Sequence, residues 1–240
     1  MKDAFNVFVN AGRYSNTPSL SEKYGGKGAV VPNPELRAES GLTVEAGARL
    51  QRKRFWFETA VYRTEMRNGI VMLSDGTMTK PVNLAAGLTK GLEATCWIQP
   101  TKLFSFEGRM TLQNAVNRSR FNNYYGKKLP GEPGFSSRLK LTAGPFRGVS
   151  PEYWFDYKSF FYRDFGNTLR IPDAEGTFGM AFHSARIVWK PNRHLDVAVS
   201  IMNFTGTTLR HEVMARSTES GYSWILYPVN EWCLTMRYSF

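Results

Sequence analysis

Apolar side chains recur at every second position over long stretches of this chain. In LTVEAGARLQ, which spans residues 42–51, every even-numbered residue is apolar and the odd-numbered residues are Thr, Glu, Gly, Arg and Gln. The segment FSFEGRMTLQ at 104–113 repeats the pattern, with Gly108 as a small residue in the apolar row. A period of two places alternate side chains on opposite faces of a β-strand, and helical spacing fits neither segment. The pattern therefore predicts an all-β chain.

The alternation delimits about ten strands, which lie near residues 4–14, 41–51, 54–65, 82–98, 103–115, 135–144, 152–163, 181–190, 194–203 and 231–240. Strands that cross a bilayer run roughly 9 to 11 residues, against roughly 5 to 6 residues for an ordinary soluble strand. The strand lengths therefore favour a sheet that spans a membrane.

The connections between these strands alternate between short and long. The short ones contain RKR, QPTK, GPFRGVS and KPNRH, and the long ones occupy roughly 15–40, 66–81, 116–134, 164–180 and 204–230. Up-and-down barrels of the outer membrane have tight periplasmic turns and long extracellular loops. This parity predicts an antiparallel, up-and-down transmembrane β-barrel whose carboxyl terminus lies at the periplasmic side.

The last ten residues, EWCLTMRYSF, carry the same alternation to the end of the chain. The apolar row consists of Trp232, Leu234, Met236, Tyr238 and Phe240. Further aromatic residues cluster near strand ends, in FWF, YWF and FFY, and Trp and Tyr favour the level of lipid headgroups. A lipid-facing row that ends in phenylalanine resembles the signature by which outer-membrane barrels are recognised for assembly.

Composition and charge narrow the function classes. No stretch approaches the roughly 18 to 20 apolar residues of a membrane helix, and the mean hydropathy is −0.36, so a helical membrane protein is excluded. The net charge is +11, but the basic residues are spread along the chain, and only Arg52–Arg54 forms a compact cluster. Nucleic acid is therefore not predicted as a partner. We expect these basic residues to lie in solvated turns that face anionic lipid.

The cysteine and histidine residues indicate neither a cofactor nor a metal site. Cys96 belongs to an apolar row and Cys233 to a polar one, so a disulfide between them is not expected. His183, His194 and His211 form no ligand pair by spacing. No serine and histidine arrangement is evident for a hydrolase, and we expect a protein that is not an enzyme.

Four stretches carry a family resemblance. FVNAGRYSNTPSLSEKYG followed by NPELRAES resembles the barrel segment of TonB-dependent outer-membrane receptors. VNLAAGLTKGLEATCWI resembles a strand of that family, and DVAVSIMNFTGTTL its penultimate strand, although Thr205 stands at an acidic position. LPGEPGFSSRLKL resembles a Pro-Gly-x-Pro strand entry. The matching positions that we assign a structural role are Pro18, Asn33, Pro34, Glu39, Gly91, Glu93, Asn203 and Phe240.

The resemblance implies the carboxyl-terminal part of a receptor barrel, about ten strands of a wall of roughly 22. Residues 1–240 contain no counterpart of the family's plug domain, of its TonB-contacting box or of a secretory signal. The expected partners are outer-membrane lipid, the amino-terminal barrel and plug from the same or a separate chain, and the TonB system acting through the plug. The expected location is the outer membrane of a Gram-negative bacterium.

The resemblance further implies uptake of a large, scarce ligand, such as a siderophore–iron complex, cobalamin or a glycan. Candidate ligand-binding residues in the extracellular loops are Tyr124, Tyr125, Tyr222 and Trp224, which offer stacking surfaces beside polar groups. The alternative is that each loop packs on its own aromatic residues. An alternative for the whole chain is a self-contained small barrel with a structural or adhesive role, because a ten-stranded sheet either closes on itself or is completed by other strands.

Overall fold

The computed structural model describes residues 4–25, 30–74, 78–119, 123–172, 178–207, 212–214, 222–224 and 230–239. Most of this part is one antiparallel sheet of ten strands. With the shorter strands included in the numbering, its members are β1 Ala4–Asn16, β2 Glu39–Arg52, β3 Phe55–Ser74, β4 Thr79–Thr101, β5 Phe104–Asn117, β6 Phe135–Ala143, β7 Val149–Ser159, β10 Gly179–Trp189, β11 Leu195–Met202 and β14 Glu231–Tyr238.

Smaller elements lie in the connections. One helix, α1 (Leu20–Tyr24), follows β1. The short strands β8 (Phe161–Tyr162) and β9 (Arg170–Ile171) pair with each other, as do β12 (Glu212–Met214) and β13 (Tyr222–Trp224). Within the described residues, no helix has the length and apolar content to cross a membrane.

The sheet is an up-and-down meander, as the sequence pattern predicts. Its order is β1-β2-β3-β4-β5-β6-β7-β10-β11-β14, and each pair is antiparallel. Among the described strands, β1 pairs only with β2, and β14 pairs only with β11. The described sheet therefore has two open edges.

The register aligns the apolar rows of successive strands on one face of the sheet. Val9, Ala46, Val61, Leu92 and Leu112 stand side by side across β1 to β5. Val9 is 75% exposed, Val61 54% and Leu112 56%. We call this surface the apolar face and the opposite surface the polar face. A sandwich would bury such rows against a second layer, whereas a lipid-facing wall leaves them on the outside.

The remaining strands continue the apolar face to the other edge. In β14 the side chains of Trp232, Leu234 and Met236 are each about two-thirds exposed, and they lie opposite Ile201, Val199 and Val197 of β11. Cys96 lies on the apolar face and Cys233 on the polar face, and both thiols are free.

The short and long connections lie at opposite ends of the sheet, as predicted. Two-residue turns join β2 to β3 and β4 to β5, and turns of five residues join β6 to β7 and β10 to β11. The other connections leave from the opposite end, which we call the loop end.

The prediction of a long connection at 66–81 is wrong, because strands occupy most of these residues. β3 continues to Ser74, and β4 begins at Thr79. The pairing shifts register between Met66 and Gly69, and Asn68 has a positive φ of 55°. Such a bulge interrupts the period of two, so the alternation hides the continuation of both strands.

The predicted strand at 152–163 is also corrected. β7 starts at Val149 and ends at Ser159, after which Phe161 and Tyr162 leave the sheet to pair with β9. The backbone N–H of Phe160 donates instead to the carbonyl of Phe178, at 2.9 Å. The sequence remains apolar beyond the end of β7 because Phe161 packs against a small buried cluster at the loop end. This cluster contains Ile171 and Met180.

Candidate functional site

Two connections at the loop end pack into one unit, which we call the loop platform. It consists of residues 123–131, between β5 and β6, and residues 160–171, which include β8 and β9. The ring of Tyr124 stacks on Phe165 with centroids 6.2 Å apart. The Nζ of Lys127 donates to the carbonyl of Gly166 at 2.6 Å.

Asn167 joins the two halves of the platform through its side chain. Its Oδ1 accepts from the backbone N–H of Lys128 at 2.8 Å, and its Nδ2 donates to the Lys128 carbonyl at 3.0 Å. The N–H of Gly131 donates to the carbonyl of Tyr162 at 2.8 Å. These bonds satisfy backbone groups of both connections at once, so each connection restricts the other.

Asp164 shapes the turn between β8 and β9. Its carboxylate accepts from the N–H of Leu169 at 2.7 Å, and from the N–H and hydroxyl of Thr168 at 2.9 and 3.0 Å. Burial raises the pKa of this carboxyl, but the hydrogen bonds from Leu169 and Thr168 outweigh it, and the pKa lies below its ordinary value. The turn is therefore built around an ionised carboxylate.

Tyr124 and Tyr125, two of the predicted ligand-binding residues, lie on the platform and are accessible. Tyr124 is 38% exposed and Tyr125 is 51% exposed. The partner of Tyr124, Phe165, belongs to a different connection, so the loop does not pack only on its own aromatic residues. Arg118 donates to the hydroxyl of Tyr125 at 2.9 Å, and its guanidinium lies 5.6 Å from the ring centroid.

The first long connection is tied to the extended β3–β4 hairpin. Asn33 donates from Nδ2 to the carbonyl of the buried Pro81 at 2.9 Å. Asn83 accepts from the N–H of Arg37 at 2.8 Å and donates to its carbonyl at 2.9 Å, and also donates to the carbonyl of Asn68 at 2.7 Å. These amides hold the connection against β4.

Other family positions of this connection stabilise its turns. Pro18 is buried and precedes Ser19, the N-cap residue of α1. The helix begins with a capping box, in which the N–H of Ser19 donates to Glu22 at 2.7 Å and the N–H of Glu22 donates to the Ser19 hydroxyl at 3.3 Å. Pro34 follows Asn33 in the turn, and Glu39 is the first residue of β2.

Gly91 and Glu93 lie on the polar face of β4. The ring of Tyr62 crosses over Gly91 so that its hydroxyl donates to Gln113 at 2.9 Å. Glu93 stands opposite Ala60 and Thr111. Gly91 thus provides the space that lets an aromatic side chain join three strands.

Asn203 ends β11 with a side-chain-stabilised turn. It is buried and has a positive φ of 49°. Its Nδ2 donates to the carbonyl of Thr207 at 2.9 Å, and its Oδ1 accepts from the N–H of Thr207 at 3.2 Å. An asparagine tolerates this backbone conformation and supplies both bonds. Thr205, which departs from the family pattern, takes no part in these bonds.

Ion pairs connect the polar face across β6, β7 and β10. Glu152 lies between Lys140, at 3.3 Å, and Arg186, at 4.0 Å. Arg109 stands directly opposite Arg138, so two basic residues are cross-strand neighbours. The register of the strands determines which residues are cross-strand neighbours, and sequence alone does not give the register.

The structure does not place every predicted residue. The backbones of Tyr222 and Trp224 belong to β13, but their side chains lie outside the described part, as do Phe240 and His211. The hydroxyl of Tyr153 contacts Nδ1 of His183 at 2.6 Å. In the described ranges, no group of three His, Cys, Asp or Glu side chains could hold a metal ion.

Asp164 and Asn167 organise the platform, and neither residue was predicted from the sequence. The segment RDFGN, which contains both, has the Asp, Gly and Asn residues of a turn. That signal predicts a turn, but it does not reveal that Asn167 binds a second connection 39 residues away in sequence. Together the platform offers exposed aromatic rings beside lysine and arginine side chains.

Solved structures with the same architecture include uptake receptors and a transporter. The copper transporter OprC superposes with a TM-score of 0.76 at 14% identity, over 98% of this chain and 37% of its own. The ferric yersiniabactin uptake receptor FyuA from Yersinia pestis gives 0.74 at 14% identity, over 98% of this chain and 35% of its own. The ferric-catecholate import receptor Fiu from K12 E. coli gives a TM-score of 0.68 at 21% identity, over 98% of this chain and 33% of its own.

This chain therefore spans about a third of the length of the solved structures that it matches. None of the curated proteins matches the sequence. The profile of the family described as TonB dependent receptor-like, beta-barrel matches residues 1–204. The chain belongs to this family of TonB-dependent receptor β-barrels.

Proposed function

We propose that this chain forms the carboxyl-terminal wall of an outer-membrane receptor that takes up a large, scarce ligand through the TonB system. The observation that carries the proposal is the two-sided sheet, which has an exposed apolar face, a charged polar face and its long connections at one end. In a barrel such a sheet turns the apolar face to lipid and the polar face to the lumen.

The open edges support a role as part of a larger wall. Unpaired backbone groups of β1 and β14 find no water in lipid, so further strands must satisfy them. We infer that the amino-terminal strands of the receptor, in the same or a separate chain, pair with these edges. A plug that contacts TonB then occupies the space beside the polar face.

The loop platform is the proposed place of first contact with the ligand, outside the cell. Tyr124 and Tyr125 present accessible rings there, and Lys127 lies on the same connection. Aromatic and cationic groups together suit planar, anionic chelating groups. This orientation leaves β14 running towards the periplasm, since it descends from the loop end.

Among the ligand classes, ferric chelates have the most support. Three neighbours are named as a ferric yersiniabactin receptor, a ferric-catecholate receptor and a ferric citrate transporter, and another as a copper transporter. Cobalamin and glycans remain within the proposal. The action is binding and transport, not catalysis.

Uptake by cells tests this function. A strain that lacks its own ferric-chelate receptors is given the receptor that contains this chain, and uptake of iron from a panel of chelates is measured with and without TonB. We expect TonB-dependent uptake of at least one ferric chelate. Replacing Tyr124 and Tyr125 by alanine should raise the half-saturating concentration, whereas Tyr238→Ala, on the apolar face, should not.

Two outcomes count against the proposal. One is that no chelate, cobalamin or glycan enters in a TonB-dependent manner. The other is that residues 1–240 alone, reconstituted in bilayers, form a stable ten-stranded monomer with discrete ion conductance. That result supports the alternative of a self-contained small barrel.

A further inference from the structure

Towards the loop end, basic side chains follow the apolar residues of the apolar face. Arg63 follows Val61 on this face of β3, and Lys90 of β4 stands directly opposite Arg63. We call this surface the basic rim, and its members are Arg13, Arg63, Arg67, Lys90, Arg118 and Lys128. Among the described positions on this part of the apolar face of β1 to β5, one residue is acidic, Glu65.

Two adjoining hollows open on the basic rim. One of about 300 Å³ is lined by Arg13, Leu42 and Arg67. The other, of about 360 Å³, is lined by Arg63, Arg67 and Arg118 together with Leu88. Glu65 and Arg67 line both hollows. The guanidinium groups thus stand around concave surfaces with apolar side chains at their walls.

Among the described residues beside the rim, Glu65 is the one acidic group that faces its positive charge. Glu65 pairs with Arg63 and lies 4.0 Å from Arg67. Arg67 is nevertheless 78% exposed and Arg63 54% exposed. Lys90 faces Arg63 across the β3–β4 pair, and like charges in that position destabilise a sheet. An external anion at this surface would relieve the repulsion.

We propose that the basic rim binds the phosphate groups of a membrane lipid whose acyl chains lie along the apolar face. Arginine forks match phosphate oxygens in a bidentate manner. The order of side chains along β3, with the apolar Val61 directly before the cationic Arg63, matches the order of hydrocarbon and phosphate in such a lipid. A free phosphate ion makes no use of the apolar wall. The proposal rests on the membrane placement of the sheet.

Lipid binding by the receptor that contains this chain, in zwitterionic detergent, tests the proposal. The probes are diphosphorylated lipid A, the same lipid without its phosphates, and inorganic phosphate. We expect the phosphorylated lipid to bind at least roughly tenfold more tightly than the dephosphorylated form. Replacing Arg63 and Arg67 by glutamine should weaken its binding roughly thirtyfold, because each basic side chain near an anionic surface contributes about fivefold.

The matched control is Arg138→Gln with Lys158→Gln, which removes two charges from the polar face and should leave lipid binding unchanged. If the Arg63 and Arg67 variant loses its β-sheet circular dichroism, Lys90→Gln alone should still weaken binding, by roughly fivefold. Equal binding of both lipid forms, equal losses in the control, or displacement of the lipid by an equal concentration of inorganic phosphate overturns the proposal. Because no uptake is measured, this result is independent of the transport test.

Discussion

The ring of Tyr62 lies over Gly91, so that a Cβ added at Gly91 would stand 2.5 Å from the Tyr62 ring. We predict that Gly91→Ala forces the ring away and breaks its 2.9 Å hydrogen bond to Gln113. Overpacking of this kind costs about 1–3 kcal/mol in the free energy of unfolding. Denaturant unfolding in detergent measures the loss.

The control for this substitution is Gly12→Ala in β1, where an added Cβ meets nothing within 4 Å. That change should stay within about 0.5 kcal/mol of the parent chain. Adding Tyr62→Ala to Gly91→Ala should remove most of the cost specific to Gly91. Equal effects of the two alanine substitutions would refute the role of the aromatic overlap.

Asn83 holds Arg37 through both the N–H and the carbonyl of that residue. We predict that Asn83→Ala releases the connection and speeds tryptic cleavage after Arg37 by roughly tenfold or more, because each lost hydrogen bond contributes about 0.5–1.5 kcal/mol. The cleavage rate, followed by mass spectrometry, is the measurement. Asn10→Ala, which removes an exposed bond to Glu45, is the control and should leave the rate unchanged.

The bonds around Asp164 predict a pH dependence of the platform. Because its pKa in the folded chain lies below the ordinary value of 3.8, the ionised carboxylate contributes stability that is fully present above that value. The contribution is lost as the pH falls through the folded pKa. The amide signals of Thr168 and Leu169 in magnetic resonance should titrate with a midpoint below 3.8.

In Asp164→Asn the same amide signals should lose this titration. A midpoint at or above the ordinary value, or an unchanged titration in the variant, would show that the carboxylate does not stabilise the turn. The matched control is Asp196→Asn, whose carboxylate pairs with Lys190 at the opposite end of the sheet.

The sheet was predictable because each of its faces has one chemical character. Alternation gave β2 as 41–51, and the structure has Glu39–Arg52. It failed for the ends of β3 and β4, where the bulge near Asn68 shifts the alternation by a residue. Period alone cannot follow a strand through such a shift.

The candidate site was less predictable than the sheet. Tyr124 and Tyr125 were identified from their residue type, but their neighbours Phe165 and Arg118 depend on how the chain folds back. The bonds of Asn167 to Lys128 span 39 residues and have no local pattern. A sequence read segment by segment holds no information on which two connections will meet.

Glu152 is mostly buried on the polar face between Lys140 and Arg186, with 15% of its side chain exposed. We predict that Glu152→Gln costs about 1.5–3 kcal/mol in the free energy of unfolding, the range for hydrogen bonds to charged groups, since two cations lose their shared counter-charge. Asp156→Asn is the comparison, because its partner Arg138 is 65% exposed and water screens the pair. That change should cost only about 0.2–1 kcal/mol. Denaturant unfolding of both variants at low and high salt measures these costs. A smaller cost for Glu152→Gln than for Asp156→Asn would contradict the central place of Glu152 in this network.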